Sequence, residues 1–164
     1  MDFIEFLNTR EREILTLIYK AKYSVEEDTP LCLLGKKYFG FLKKRQKTVV
    51  ICTQNAKDVG GYSIPKVRYE NNYDPTKIYI NRALRHEAVH VAQGCNNGAL
   101  LNMKEIKSFK FNTYKNKALE GSTLVSGSRD KEKEAYLLED KPKIIIIALK
   151  KYCRINLKGA MSRK

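Results

Sequence analysis

The sequence predicts a mainly helical α+β protein with a small antiparallel sheet beside a helix that carries the motif HEAVH. Apolar residues recur at helical spacing near the N-terminus and again near residue 150. A β-branched run lies between them, and HEAVH (86–90) follows that run. A chain of 164 residues can bury a substantial core, so we expect a single domain over residues 1–164.

The N-terminal segment has the pattern of an amphipathic helix over residues 3–23. Its apolar positions are Phe3, Phe6, Leu7, Ile14, Leu15, Leu17 and Ile18. This helix should end before residues 26–30, because Pro30 disfavours helical backbone at the residue before it.

Three short strands are predicted between residues 48 and 80. Residues 48–53 are β-branched, residues 62–69 alternate after the turn at Gly60-Gly61, and residues 77–80 form a third short run. Pro65 favours an edge position for the second strand. The expected sheet would lie just before HEAVH in the chain.

The motif helix should begin after Asn81 as its N-cap and end at Gly94. Residues 98–120 fit helical and irregular structure equally, and residues 121–128 suggest a loop. Ser128 or Asp130 would then cap a helix that continues to residue 140.

A last helix is predicted from Pro142 to Cys153. Its four consecutive isoleucines would also fit a buried strand, but the following residues continue at helical spacing. The tail, residues 154–164, is expected to be loose.

The chain is strongly basic, with 32 basic and 18 acidic side chains and a net charge of +14. Such a field attracts polyanions and acidic partners, although lysine-rich surfaces are commonly only solvated. Nucleic acid is thus a conceivable partner, but no zinc-finger spacing, RNP signature or helix-turn-helix pattern supports it.

Cellular location is suggested only indirectly. The N-terminus lacks the pattern of a signal peptide, and no apolar stretch is long enough to span a bilayer. A reducing cytoplasm is the default expectation, with the cysteines as free thiols. They include no CxxC pair, which argues against a thiolate zinc knuckle. The four cysteines are Cys32, Cys52, Cys95 and Cys153.

HEAVH holds the only two histidines of the chain, His86 and His90. Residues four apart lie on one helix face, so both imidazoles can bind one Zn²⁺ at about 2 Å. Glu87 directly follows His86 and is therefore rotated from it by about 100° around the helix axis. From there its carboxylate can act as general base on a water whose pKa zinc lowers to about 7. Two satisfied core histidines are the alternative, but chance produces this pattern only about once in a thousand placements.

A catalytic zinc needs a third protein ligand, and no histidine remains. The longer motif HExxHxxGxxH is excluded, because Gln93 and Asn96 stand at its glycine and third histidine. We favour Glu134, which follows a long loop and precedes Ala135, a small residue that lets two helices approach. Glu132, on another helix face, is the second choice. The downstream carboxylates are Glu105, Glu120, Asp130, Glu132, Glu134, Glu139 and Asp140.

HEAVH, followed about 40 residues later by KEKEAY, resembles the gluzincin group of zinc metallopeptidases in minimal form. The phrase LRHEAVHVAQ is also similar to small metallopeptidase-like proteins of bacteria and phages. The resemblance covers residues 81–94 and 130–140. It implies a zincin-like domain in the cytoplasm of a bacterial or phage-infected cell.

On this resemblance His86, His90 and Glu134 match the zinc ligands, and Glu87 matches the catalytic base. One position departs from the group. Leu138 stands where several gluzincins carry an acidic residue that orients the first histidine, which leaves that role unassigned.

We therefore expect a metallopeptidase with one Zn²⁺ per chain. Its substrate would be a peptide or protein, and acidic ones would suit the positive charge. The alternative is a non-catalytic zinc-binding regulatory or nucleic-acid-associated protein on the same scaffold. The strands could hold an extended peptide at their edge or only cover the helix. The sequence selects no oxyanion-stabilising residue among Tyr62, Tyr73, Tyr79 and Tyr136, and it does not predict an oligomeric state.

Overall fold

A computed structural model describes residues 1–62, 74–104 and 111–155. These residues contain six α-helices, two short 3₁₀ helices and three strands, which confirms the mainly helical α+β class. The 3₁₀ helices are Asp2–Phe6 and Pro30–Leu34, and the strands are β1 (Ser24–Glu27), β2 (Gly40–Lys43) and β3 (Thr48–Ile51). The helices are α1 (Thr9–Lys20), α2 (Thr53–Val59), α3 (Pro75–Cys95), α4 (Thr113–Ser126), α5 (Arg129–Leu138) and α6 (Pro142–Tyr152). None of the helices in these ranges is long and apolar enough to cross a membrane.

The predicted N-terminal helix is divided into a 3₁₀ helix and α1. The break lies at Leu7 and Asn8, whose backbones are extended. The Glu27 carboxylate accepts hydrogen bonds from the amides of Asp2 and Phe3, both at 2.8 Å, and so fixes the start of the chain. Charged side chains at sheet ends can thus satisfy the free amide groups of a helix start.

The sheet is mixed, so the expectation of an antiparallel sheet is wrong for one of its two pairings. Its strand order is β1-β3-β2, with β1 parallel and β2 antiparallel to β3. The predicted strand at 48–53 is confirmed as β3, which lies in the middle and is completely buried at Val49, Val50 and Ile51. The sequence does not predict β1 and β2, because each strand has only four residues and includes charged ones. The predicted strand at 62–69 lies almost entirely outside the described residues.

α3 begins at Pro75, so the strand predicted at 77–80 is wrong and Asn81 is not the N-cap. Asp74 is the N-cap, and its side chain accepts a hydrogen bond from the Lys77 amide. Asn81 lies inside the helix. It donates to the Phe6 carbonyl at 2.8 Å and accepts from the Asn8 amide at 3.0 Å, which ties α3 to the N-terminal segment.

In the last third, the loop predicted at 121–128 is wrong up to residue 126, because α4 continues to Ser126. Gly127 then ends α4 in the left-handed conformation, with φ of 75°. Ser128 is the N-cap of α5, and α6 begins at Pro142, both as predicted. The predicted loose tail lies outside the described residues from residue 156 on.

α3 is the central helix of the core. It contacts α1, α2, α5, α6 and β2, which surround most of its surface. Its fully buried apolar residues are Ile80, Leu84, Ala88, Val89, Val91 and Ala92. The remaining face of α3, which carries the motif side chains, is directed toward α5 and a cavity.

All four cysteines are paired, as Cys32–Cys52 and Cys95–Cys153, so the expectation of free thiols is wrong. The second bond links the last residue of α3 to the residue after α6. The partners are 20 and 58 positions apart in sequence, and only the packing of the elements brings them together. Cysteine spacing alone could not reveal this pairing.

Replacing both Cys95 and Cys153 by serine should lower the free energy of unfolding by about 2–4 kcal/mol, because the bond closes a long loop. Denaturant unfolding of the oxidised protein and the double variant measures this difference. Thiol titration of the unfolded, unreduced protein from an oxidising expression compartment should find no free thiol. Four titratable thiols would contradict the pairing.

Candidate metal centre

Two histidines on α3 and one carboxylate on α5 converge on one point. His86 Nε2 lies 3.1 Å from Glu132 Oε2, and His90 Nε2 lies 3.2 Å from Glu132 Oε1. Ligand atoms of the three residues all lie within 4.8 Å of one another. None of the three residues is more than 9 % exposed. The predicted histidine pair therefore faces a third potential ligand, as the motif requires.

That third residue is Glu132 and not Glu134, which corrects the sequence-based choice. Glu134 accepts hydrogen bonds from the amides of Leu101 (2.9 Å) and Asn102 (3.0 Å) and from Gln93 Nε2 (2.8 Å). The reason is helical phase: residues two apart are rotated by about 200°, so the two glutamates cannot both reach the histidines. The criterion of a glutamate followed by a small residue selects Glu134, whose side chain does not lie on the helix face that reaches the histidines.

Glu139 fills the orienting role that the sequence left unassigned. His86 Nδ1 lies 3.0 Å from Glu139 Oε2, and Leu138 is buried in the core instead. Glu139 follows Glu132 by seven positions, two helical turns, so both carboxylates face α3. Donation from Nδ1–H to this carboxylate leaves the Nε2 lone pair of His86 free to bind a metal.

Gln93 orients the second histidine. Its amide nitrogen donates to the Lys131 carbonyl (3.2 Å) and to Glu134, which leaves its oxygen to accept from His90 Nδ1 at 2.8 Å. His90 therefore also presents Nε2 as a lone pair. Glu134, the predicted ligand, accepts a hydrogen bond from Gln93 and so affects His90 only through that glutamine. Sequence reasoning gave Gln93 no role, although its position three residues after His90 places it on the same side of the helix.

Strong electrostatic coupling joins the cluster. Burial alone would lower the pKa of His86, but hydrogen bonds to Glu132 and Glu139 and the nearby Glu87 charge raise it to about 10. Burial disfavours the Glu132 charge, yet the two histidines outweigh it and hold the pKa of Glu132 below its usual range. Without a metal, then, His86 binds a proton between two carboxylates. A metal ion at Nε2 would replace that proton.

Glu87 lines the same cavity as the three potential ligands. It is 5 % exposed, and burial raises its pKa, while the two histidines act in the opposite direction. The carboxylate packs on Gly40 of β2, where a Cβ atom would lie 3.0 Å from Glu87 Cγ. A carboxylate with a raised pKa is suited to accept and return protons near neutral pH.

Among the tyrosines that the structure describes, Tyr136 is the one whose ring contacts a histidine of the centre. It follows Glu132 by one turn, and its ring lies 4.5 Å from the His86 ring. Its hydroxyl donates to the Ala118 carbonyl of α4 at 3.3 Å, and burial raises its pKa to about 12. Tyr79 also lines the cavity, whereas Tyr62 packs on Phe6 and Tyr73 lies outside the described residues.

The cavity has a volume of about 970 Å³ and lies between β2, α3, α4 and α5. Within the described ranges, no fourth histidine, cysteine or acidic side chain joins the cluster of three. Two imidazole nitrogens, each backed by a hydrogen-bond partner, and one carboxylate fit a divalent transition-metal ion. The arrangement leaves room for further ligands on the cavity side.

The fold and the site define a mainly helical α+β protein with three side chains suited to hold one metal ion. The chain belongs to the family described as domain of unknown function DUF8637, whose model matches residues 3–154. No curated protein and no solved structure matches the chain.

Glu132→Gln should weaken Zn²⁺ binding by at least 100-fold, because it removes a negatively charged ligand atom. Glu134→Gln is the matched control on the same helix. It should cost no more than about tenfold, because Glu134 contacts Gln93 and not a histidine, and even direct partners of a ligand contribute only about 10–100-fold. Competition titration with a chromophoric chelator measures both affinities. Stronger weakening by Glu134→Gln than by Glu132→Gln would restore the sequence-based choice.

The metal-free protein should lose stability as the pH rises from about 6.5 to 10. The folded-state pKa of His86, about 10, lies above its ordinary value of 6.5. Its contribution is therefore complete below pH 6.5 and disappears as the pH passes 10. Thermal unfolding in chelator across this range, beside His86→Gln, isolates the effect from lysine and tyrosine titration. Identical pH slopes for the two proteins would contradict the coupling.

Proposed function

We propose that the protein is a zinc-dependent metallopeptidase that hydrolyses peptide bonds, with Glu87 as the general base. One observation carries the proposal: His86, His90, Glu132 and Glu87 all line a single cavity. Catalytic zinc sites have three protein ligands and an open position, whereas structural sites are closed by four. A cluster of three ligands beside a cavity supports the catalytic alternative over a purely regulatory one.

His86 Nε2, His90 Nε2 and the Glu132 carboxylate would hold the ion. When bound, zinc supplies a Lewis acid and lowers the pKa of a water to about 7. With the ion bound, Glu139 and Gln93 would hold the proton of each histidine at Nδ1, so that Nε2 faces the metal.

In this mechanism the Glu87 carboxylate takes the proton of an attacking water and passes it to the leaving amine. Its raised pKa favours both halves of this transfer, since a weakly basic carboxylate would hold the proton too briefly. Its burial also removes competing bulk water from the proton path.

β2 supports the binding of an extended peptide. It is an outer strand of the sheet, and no other strand of the described residues pairs with its free edge. Residues 39–46 line the cavity, and Gly40 touches the Glu87 side chain. A substrate that pairs with this edge by main-chain hydrogen bonds would lie next to the general base. This favours a substrate-binding role for the strand over a covering role alone.

The paired cysteines bear on location. Disulfides persist in oxidising compartments and are rare in the cytoplasm. We therefore infer that the protein functions in an oxidising compartment, in place of the cytoplasmic location expected from the sequence. Cys32 and Cys52 are both buried, which would protect that bond.

Glu87→Gln should keep one zinc per chain but lower kcat on a fluorogenic peptide mixture by roughly 10²–10⁴-fold, as expected on removal of a general base. Metal analysis and initial rates on the zinc-loaded protein measure the two properties. Glu120→Gln, an exposed change on α4, is the control and should leave both unchanged. Full turnover by zinc-loaded Glu87→Gln would exclude this mechanism.

A further inference from the structure

We propose that the cavity selects peptides with acidic side chains flanking the bond to be cleaved, an inference that rests on the proposed function. The cavity has two walls. One consists of β2 with the turn that follows it, and the other is α4. Basic side chains line it on both sides: Lys37, Lys43, Lys44, Arg45, Arg82, Lys115 and Lys117.

Three of these cations are neutralised within the protein. Lys43 pairs with Glu26 at 2.6 Å, while Lys115 (2.8 Å) and Arg82 (3.8 Å) both reach Asp140.

The other four are exposed and have no ion-pair partner among the residues that the structure describes: Lys37, Lys44, Arg45 and Lys117. Lys37 lies just before β2, Lys44 and Arg45 lie in the turn after it, and Lys117 lies on α4. The cavity rim therefore carries an uncompensated positive charge on both sides.

The acidic side chains that line the cavity are Glu87, Glu132 and Glu139, each at most 5 % exposed. Glu132 and Glu139 are held by the histidines and by Lys115. These three buried residues form the floor of the cavity, which therefore offers little free negative charge to offset the positive charge of the rim. A ligand that carries carboxylates at its periphery matches this distribution.

A peptide fits this distribution better than a nucleic acid does. A peptide main chain is neutral and can lie beside Glu87 and the β2 edge, while its side chains carry carboxylates out to the rim. A nucleic acid brings a phosphate at every nucleotide, so its charged backbone would have to pass the buried carboxylate of Glu87. The acidic peptide is therefore the ligand that satisfies both the rim and the floor.

The test uses zinc-loaded protein and three fluorogenic peptides that differ only in flanking Glu, Gln or Lys. The Glu peptide should show a kcat/KM about tenfold above the Gln peptide at low salt, and the advantage should shrink as salt screens the charges. The triple variant Lys37→Gln, Arg45→Gln, Lys117→Gln should lose this preference. Lys44 stays unchanged, so that this variant and its control each lose three positive charges.

The matched control removes the same charge elsewhere, by Lys20→Gln, Lys133→Gln and Lys143→Gln at exposed positions that do not line the cavity. It should retain the preference for Glu. Equal kcat/KM for the Glu and Gln peptides on an active wild-type protein would overturn the inference and leave the peptidase proposal intact.

Failure of the peptidase proposal is detected separately, by the absence of turnover on all peptides. Binding of the same labelled peptides to zinc-loaded Glu87→Gln, followed by fluorescence anisotropy, then tests the charge preference alone. Tighter binding of the Glu peptide supports the inference. Tighter binding of a single-stranded oligonucleotide of equal charge, lost in the rim variant, overturns it in favour of nucleic acid.

Discussion

The crossing of α3 and α5 brings the Glu132 carboxylate against both histidines, and the metal centre exists only while this crossing is maintained. α5 has ten residues and is fastened to α3 near both ends. Near its start, the Lys131 carbonyl accepts from Gln93. At its end, the Glu139 carbonyl accepts from Arg85, whose guanidinium also pairs with Glu11 of α1 at 2.6 Å. A short helix held at two points has little freedom to rotate, so the phase of its side chains is fixed.

The crossing buries an unusual amount of negative charge, and hydrogen bonding explains how the fold tolerates it. Glu11, Glu132, Glu134 and Glu139 are each at most 6 % exposed. Glu11 pairs with a guanidinium, and Glu132 contacts two imidazoles. Glu134 accepts from three N–H groups, and Glu139 contacts an imidazole and a lysine. Buried ion pairs of this kind add little net stability, because desolvation offsets their attraction. Their directional bonds instead specify one arrangement of the side chains around the histidines.

The parts of the structure that the sequence predicts are those governed by local patterns. The histidine pair, β3 and the start of α6 each depend on spacing or on a propensity within a few residues. Asp74-Pro75 also indicates an early start of α3, although the apolar run at 78–80 by itself favours a strand. The disulfides and the parallel pairing of β1 could not be predicted in this way, because packing between distant segments decides them.

The third ligand shows where local reasoning can be extended. The choice between Glu132 and Glu134 depends on which face of the helix meets the two histidines. A single glutamate in the sequence does not identify that face. Glu132, Tyr136 and Glu139 follow one another at intervals of four and three, the spacing of a single helix face. The partners of His86 on α5 are these same three residues. A ligand glutamate needs a neighbour that orients the histidine, so a second acidic residue at helical spacing is the better sequence signal. By that criterion Glu134 fails, since the residue one turn on is Leu138 and the next position on its face is Lys141.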